Sequence, residues 1–209
     1  MVKKRPSSGQ VRIISGQWRS RKLPIHDLEG LRPTTDRVRE TLFNWIANDV
    51  RGSRVLDCFA GSGALSLESL SRYASYAKIF ELQAQAAKQL IANLATLKCD
   101  NADVIKGDSL ALLANKPSEG FDLVFIDPPF RKSLAEKSIS LIDQHQWLNH
   151  DALIYVETES EISLLNVPAS WALLKEKKAG QVIYRLYQYS AEAVIEELNG
   201  TSRDTEETN

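Results

Sequence analysis

From Ser53 to Val156, short apolar runs alternate with longer stretches in which apolar side chains return every three or four residues. A short continuous or period-two apolar run marks a strand, and a return near 3.6 residues marks one face of a helix. Arg54–Cys58, Tyr76–Glu81, Asp103–Ile105, Phe121–Ile126 and Ala152–Val156 are therefore expected as strands. Helices are expected over about 62–72, in a stretch ending near Leu97, over 108–114 and over 133–144. Such alternation predicts a parallel sheet with helices on both faces. The last stretch breaks the rhythm, because Trp171–Glu176 and Gln181–Tyr189 flank Ala179-Gly180 as an antiparallel hairpin. The fold class is thus α/β, a mostly parallel sheet with a C-terminal antiparallel hairpin, which is not the plain dinucleotide-binding arrangement.

Ahead of the alternating region, Val11–Ser15 and Trp18–Leu23 around Gly16-Gln17 read as a small β-hairpin, and 24–33 as loop. Thr34 or Thr35 suits the N-cap of a helix running to about Asp49. Val38, Leu42, Trp45 and Ile46 give it an apolar stripe, and Arg37, Glu40, Thr41 and Asn44 a polar face. Residues 1–10 are polar and basic, and the chain after about Ala191 reads as a helical stub with an acidic tail. The expected organisation is a basic arm and hairpin over 1–33, a core domain over 34–190 led by a helix over 34–50, and an acidic, disordered tail over 191–209.

Composition adds little until charge is located. With 209 residues, 43% hydrophobic and 25% charged, the chain suits one globular domain. No apolar run approaches the roughly 20 residues that span a bilayer, and no apolar stretch follows the basic N-terminus as in a secretory signal. Cys58 and Cys99 form neither a disulfide framework nor a metal cluster, which points to a reducing, cytoplasmic compartment. His26, His145 and His150 are isolated, and no metal is expected. The net charge of −1 hides a gradient: residues 1–22 carry seven basic residues and no acid, whereas residues 190–209 carry six acids and one Arg. A basic arm on a near-neutral body suggests a polyanion partner, commonly nucleic acid.

The first strand runs into Asp57-Cys58-Phe59-Ala60-Gly61-Ser62-Gly63-Ala64, a strand, glycine-rich turn and helix start. Glycines let backbone approach a ligand, and open α/β sheets bind ligands at the carboxyl ends of their strands. Gly61 and Gly63 with Ser66 also half-fit the NAD fingerprint. Three acids discriminate. Asp57 before the turn would repel a pyrophosphate but pair with an amino-acid ammonium. Glu81 ends the second strand, where it can accept from ribose hydroxyls. Asp108 follows the third strand, where it can accept from an adenine amine. Ammonium, ribose and adenine without a phosphate clamp describe S-adenosylmethionine better than NAD.

The fourth strand runs into Asp127-Pro128-Pro129-Phe130. Two prolines fix the backbone and remove two N–H donors. A rigid turn remains that presents acceptors, the Asp127 carboxylate and the Pro128 carbonyl, beside the flat face of Phe130. It suits a planar ring bearing an NH₂, whose hydrogens bond the acceptors while the ring stacks. Gripping both hydrogens pulls the nitrogen toward tetrahedral geometry and localises its lone pair for in-line attack on a methyl group. The implied chemistry is methylation of an exocyclic amine.

Asp127-Pro128-Pro129-Phe130 resembles the Asp/Asn-Pro-Pro-Tyr/Phe motif of amino-group methyltransferases, and Asp57-x-Phe59-x-Gly61-x-Gly63 resembles their cofactor turn. Arg12-Ile13-Ile14-Ser15-Gly16, Arg19-Ser20-Arg21-Lys22-Leu23, and the run from Arg32 through Arg37, Glu40 and Asn44 to Trp45 look like the RsmD family. The resemblance covers about residues 10–190. It implies a class I, Rossmann-like S-adenosylmethionine-dependent methyltransferase that modifies the N2 amine of a guanine in 16S ribosomal RNA. Asp57, Phe59, Gly61, Gly63, Glu81 and Asp108 would hold the cofactor. Asp127, Pro128, Pro129 and Phe130 would hold the base, and Arg19, Arg21, Lys22, Arg32 and Arg39 would grip RNA. The partner would be an assembling small subunit with its ribosomal proteins, and the enzyme a monomer. Rival readings are an amine methyltransferase acting on DNA adenine or protein glutamine, an NAD-dependent oxidoreductase, and a non-catalytic RNA-binding protein.

Overall fold

A computed structural model of the chain describes residues 9–25, 36–130 and 132–190. A two-stranded antiparallel ladder, β1 (Gln10–Arg12) with β2 (Lys22–Pro24), is followed by α1 (Asp36–Trp45). The core alternates: β3 (Arg54–Asp57), α2 (Ala64–Ser71), β4 (Tyr76–Glu81), α3 (Ala84–Leu97), β5 (Ala102–Lys106), α4 (Ser109–Leu113), β6 (Phe121–Ile126), α5 (Leu134–Gln144) and β7 (Leu148–Glu159). β8 (Trp171–Ala179) and β9 (Val182–Tyr189) close it. The large sheet has the order β5-β4-β3-β6-β7-β9-β8, parallel except where β9 lies against β7 and β8. None of the described helices is long and apolar enough to cross a membrane.

Alternate residues of the strands feed two separate cores. Val55, Ile79, Leu123, Phe125, Tyr155 and Leu186 face α1, α2 and α3. Leu56, Phe80, Val124, Ile126, Ile154, Val156 and Tyr187 face α4 and α5. Burial on both faces is why these strands read as continuous apolar runs. Each fully buried aliphatic or phenyl side chain contributes about 1.5–3 kcal/mol, so the central strands anchor the loops at their carboxyl ends.

Several boundaries differ from expectation. β7 extends to Glu159, past the expected end at Val156, because Glu157 and Thr158 are buried polar residues inside the ladder with β9. β8 runs to Ala179, and Gly180 turns the hairpin at φ +62°. α4 starts at Ser109 because Asp108 is its N-cap, accepting from the Ala111 N–H at 3.0 Å. α1 ends at Trp45, four residues short of the expected end near Asp49. Its expected caps Thr34 and Thr35, along with Arg32, His26, the first eight residues and the acidic tail, lie outside the described residues.

The N-terminal hairpin is shorter than expected, since residues 14–18 of its connection dock on α2 while Ile13 still pairs with Ser20 and Arg21. Buried Glu68 accepts from the backbone N–H groups of Ile14 and Ser15 at 2.7 and 3.0 Å, and from Arg72 Nε at 2.8 Å. The Ser71 hydroxyl accepts from Trp18 N–H and donates to the Ser15 carbonyl. Gly16, at φ +82°, lies so close that a Cβ there would stand 1.9 Å from the Ser71 carbonyl oxygen. Val11, Ile13 and Leu23 complete the attachment by entering the α1–α3 core.

Candidate active site

The sheet order sets three predicted acids side by side, because β5, β4 and β3 are neighbours and Asp108, Glu81 and Asp57 stand at their carboxyl ends. Between β3 and α2 the backbone turns through Gly61 and Gly63, at φ +53° and +74°. A Cβ on Gly63 would stand 2.3 Å from a Leu90 methyl, so the turn packs on α3 only without one. Glu81 fixes the turn from the next strand: its two carboxylate oxygens accept from Gly61 N–H at 2.8 Å and Gln83 N–H at 2.7 Å. Phe59 is half-buried in the same turn.

Asp57 is buried, and its carboxylate accepts from the Ser66 hydroxyl and the Phe59 N–H. Burial, reinforced by the charges of Asp127 and Glu81, pushes its pKa up to about 7. Burial likewise raises Glu81 against three backbone hydrogen bonds that lower it. A cation placed here would return Asp57 to its ionised form, whereas a pyrophosphate would meet several carboxylates at once. The acceptor set therefore fits a cationic ligand with hydroxyls, as S-adenosylmethionine is, and opposes a pyrophosphate. Asp108 is exposed at the end of β5, one oxygen engaged in capping α4.

The acceptor turn follows β6, the other neighbour of β3. Asp127 and Phe130 are half-buried, Pro128 is buried and Pro129 is exposed. Asp127 lies two residues beyond Phe125, so strand alternation carries it to the face of Asp57 and Tyr155, and its charge raises the pKa of both. The register agrees. Asp57 is opposite Phe125, Phe125 opposite Tyr155, and Tyr155 opposite Leu186, so all four share the face toward α1.

Three residues of this region were not singled out from the sequence as site residues. Ser66 holds Asp57, although in the sequence it registers only as a small residue in a poor NAD fingerprint. Tyr155 and Glu157 of β7 are both buried, and the Tyr155 hydroxyl donates to Glu157 Oε1 at 2.6 Å. The available signal was position: Glu157 follows the apolar run of its strand as Asp127 follows the run before it.

The basic residues divide. Arg19, Arg21 and Lys22 are exposed on the docked N-terminal segment, and Arg12 pairs with Asp36 at 2.9 Å. Arg39, expected among the RNA-gripping residues, is only 2% exposed. Its guanidinium donates to the Arg12 carbonyl at 2.8 Å and to Asp36 Oδ1 at 2.7 Å, and burial lowers its pKa. It therefore ties α1 to β1 and is not displayed to a phosphate. Among the described residues no group of three or more His, Cys, Asp or Glu could hold a metal.

Residues 11–188 match a family model described as conserved hypothetical protein 95. The chain is 57% identical over 185 residues to ribosomal RNA small subunit methyltransferase D of Escherichia coli strain K12, covering 88% of this chain and 93% of that one. The solved structure of yhhF from Escherichia coli aligns with a TM-score of 0.82 and 54% identity over 88% of this chain and 99% of that one. SMU.776, solved in complex with SAH, shares the fold at a TM-score of 0.63 and 15% identity, over 89% of this chain and 57% of that one.

Proposed function

Because the chain belongs to the RsmD family, that of ribosomal RNA small subunit methyltransferase D, we propose that it methylates small-subunit ribosomal RNA, using S-adenosylmethionine and acting on the N2 amine of a guanine. The observation that carries this reading is the juxtaposition, across adjacent strands, of the buried acid Asp57 with the acceptor turn at Asp127. The bound cofactor supplies an electrophilic methyl on a sulfonium. Asp57 pairs with its ammonium, Glu81 accepts from its ribose hydroxyls, and Asp108 accepts from its adenine. Gly61 and Gly63 let the backbone pass close beneath it.

On the other side of the site, the Asp127 carboxylate and the Pro128 carbonyl accept the two hydrogens of the amine, and Phe130 stacks on the ring. The grip localises the nitrogen lone pair and aligns it with the methyl, and Asp127 stabilises the positive charge that grows on nitrogen. A base inside a helix cannot reach this turn, so the target is taken unstacked. Arg19, Arg21 and Lys22 bind the flanking phosphates. The enzyme works as a cytoplasmic monomer on an assembling small subunit, where ribosomal proteins complete the binding surface. The N-terminal segment through residue 33 serves as the RNA-binding extension of the 34–190 catalytic domain.

Mass spectrometry of nucleosides from the ribosomal RNA of cells with and without this gene tests the reading. Loss of 2-methylguanosine at one small-subunit position is expected. An unchanged 2-methylguanosine content, or a loss confined to methylated adenine in DNA, would overturn it.

A further inference from the structure

The reaction as described leaves one buried acid beside the acceptor turn without a role. Glu157 lies one residue beyond Val156, which pairs with Ile126, so the parallel register carried on by one place sets Glu157 opposite Asp127. Adjacent strands are about 4.8 Å apart. Carboxylates on side chains that leave neighbouring strands at opposite places can reach neighbouring nitrogens of one base. Glu157 is also opposite Tyr184 on β9, which packs in the α1-facing core, so both residues belong to the face that bears Asp57, Tyr155 and the Asp127 carboxylate. Its position is fixed from behind, because Tyr155, itself fully buried, donates its hydroxyl to Oε1 at 2.6 Å. A carboxylate offers about four acceptor sites, and the phenol occupies one of them.

The Watson–Crick edge of guanine carries two adjacent donors, the N2 amine and the N1–H. Adenine and 2-aminopurine present a bare lone pair at N1, which a carboxylate repels. We propose that Glu157 reads the target base as guanine by accepting its N1–H while Asp127 and Pro128 hold the N2 amine, with Tyr155 as the positioning residue that keeps Glu157 turned to the base. The inference rests on the guanine-N2 reading above and assigns its base specificity to a second acid on a different strand. A site built around a donor discriminates strongly against an analogue that lacks it, because the buried acceptor is left facing a lone pair.

The test compares small-subunit particles assembled on 16S rRNA with guanine or 2-aminopurine at the target position, since both bases carry the amine. Wild-type protein is expected to favour guanine by about 100-fold or more in kcat/KM. Glu157→Gln can turn either its oxygen or its amide nitrogen to N1, so the preference should narrow by about 10-fold or more. Comparing the two preferences cancels the intrinsic reactivity of the two amines. Tyr155→Phe leaves the acid in place but unanchored and should narrow the preference by a smaller factor. It decides the matter alone if Glu157→Gln does not fold. An undiminished preference in folded Glu157→Gln, or in Tyr155→Phe where only that variant folds, overturns the proposal. Failure of the guanine reading itself would show earlier and separately, as wild-type protein that forms no 2-methylguanosine on the guanine particles.

Discussion

At the carboxyl edge of the sheet three acids are drawn inward and held by other parts of the protein, whereas in the N-terminal segment the backbone is what is held and most charges are left outside. Asp57, Glu81 and Glu157 are buried and receive hydrogen bonds from Ser66, Gly61 and Gln83, and Tyr155. Ile14 to Trp18 are bound to Glu68 and Ser71 through their main chain, while the side chains of Arg19, Arg21 and Lys22 are exposed on the same segment, Arg21 reaching the Thr96 carbonyl at 3.5 Å. On the proposed function, the difference follows from what each region would meet. A small ligand at a reacting centre is served by groups already fixed in place, because little reorganisation then remains in the transition state. A phosphate backbone is bound through long, solvated side chains that adapt to its course as they meet it, and it yields affinity through counterion release.

The sharpest way to break the contrast is at Asp127. Asp127→Ala removes an acceptor from the amine and the carboxylate that stabilises the growing charge. kcat should fall by about 10²–10³-fold, with cofactor affinity nearly unchanged, as read by single-turnover methylation and calorimetry. A wild-type turnover rate would remove this acid from the chemistry and leave the acceptor turn a stiff loop.

Asp57 gives the next largest effect, through its pKa of about 7. In the free protein at pH below 7 the group is mainly protonated. A bound cation favours the ionised form, so binding there must release a proton. Cofactor affinity should therefore fall as pH drops below about 7, by up to tenfold per pH unit, and fall again above about 8, where the ligand's own α-amino group loses its proton. Calorimetry across this range, in buffers of different ionisation enthalpy, would count the proton. Asp57→Asn should bind more weakly at high pH and lose the fall on the acid side. A flat wild-type profile between pH 6 and 8 would show that Asp57 is not the group facing the ammonium.

The order of the elements was legible because burial on both faces writes each strand as an apolar run, and the cofactor and acceptor turns stood out because glycine and proline have few other reasons to cluster after such runs. Legibility ended where a polar residue is buried. Glu157 and Thr158 made β7 look finished at Val156, since sequence polarity is ordinarily a mark of exposure. Ser66 was invisible as a partner because the turn that folds it onto Asp57 exists only in three dimensions. The docking of Ile14 and Ser15 on Glu68 depends on backbone donors, which every residue but proline possesses and no sequence pattern displays. Arg39 was different, because the signal was present: it stands four residues before Phe43 and seven before Ile46, on the stripe those residues bury. Its charge masks that spacing, because an arginine is ordinarily a surface residue.

Arg39 also supplies the finest test of the contrast, since the N-terminal region contains both kinds of charge. Neutralising Arg19, Arg21 and Lys22 together should weaken binding to the small-subunit particle and flatten the dependence of log affinity on log salt by about one unit for each phosphate no longer neutralised. Methylation of the bound complex should proceed as before. Arg39→Gln should do the reverse. The salt slope should hold, because a 2%-exposed guanidinium bonded to Asp36 and the Arg12 carbonyl releases no counterions to RNA. Stability in denaturant should drop, because the ion pair with Asp36 is broken and a backbone carbonyl is deprived of its donor. The sum of these effects is smaller than the loss at Asp127, but the sign pattern is specific. If Arg39→Gln flattened the salt dependence as much as the triple variant, burial in the free protein would be a poor guide to which charges RNA meets, and the docked segment would have to open on binding.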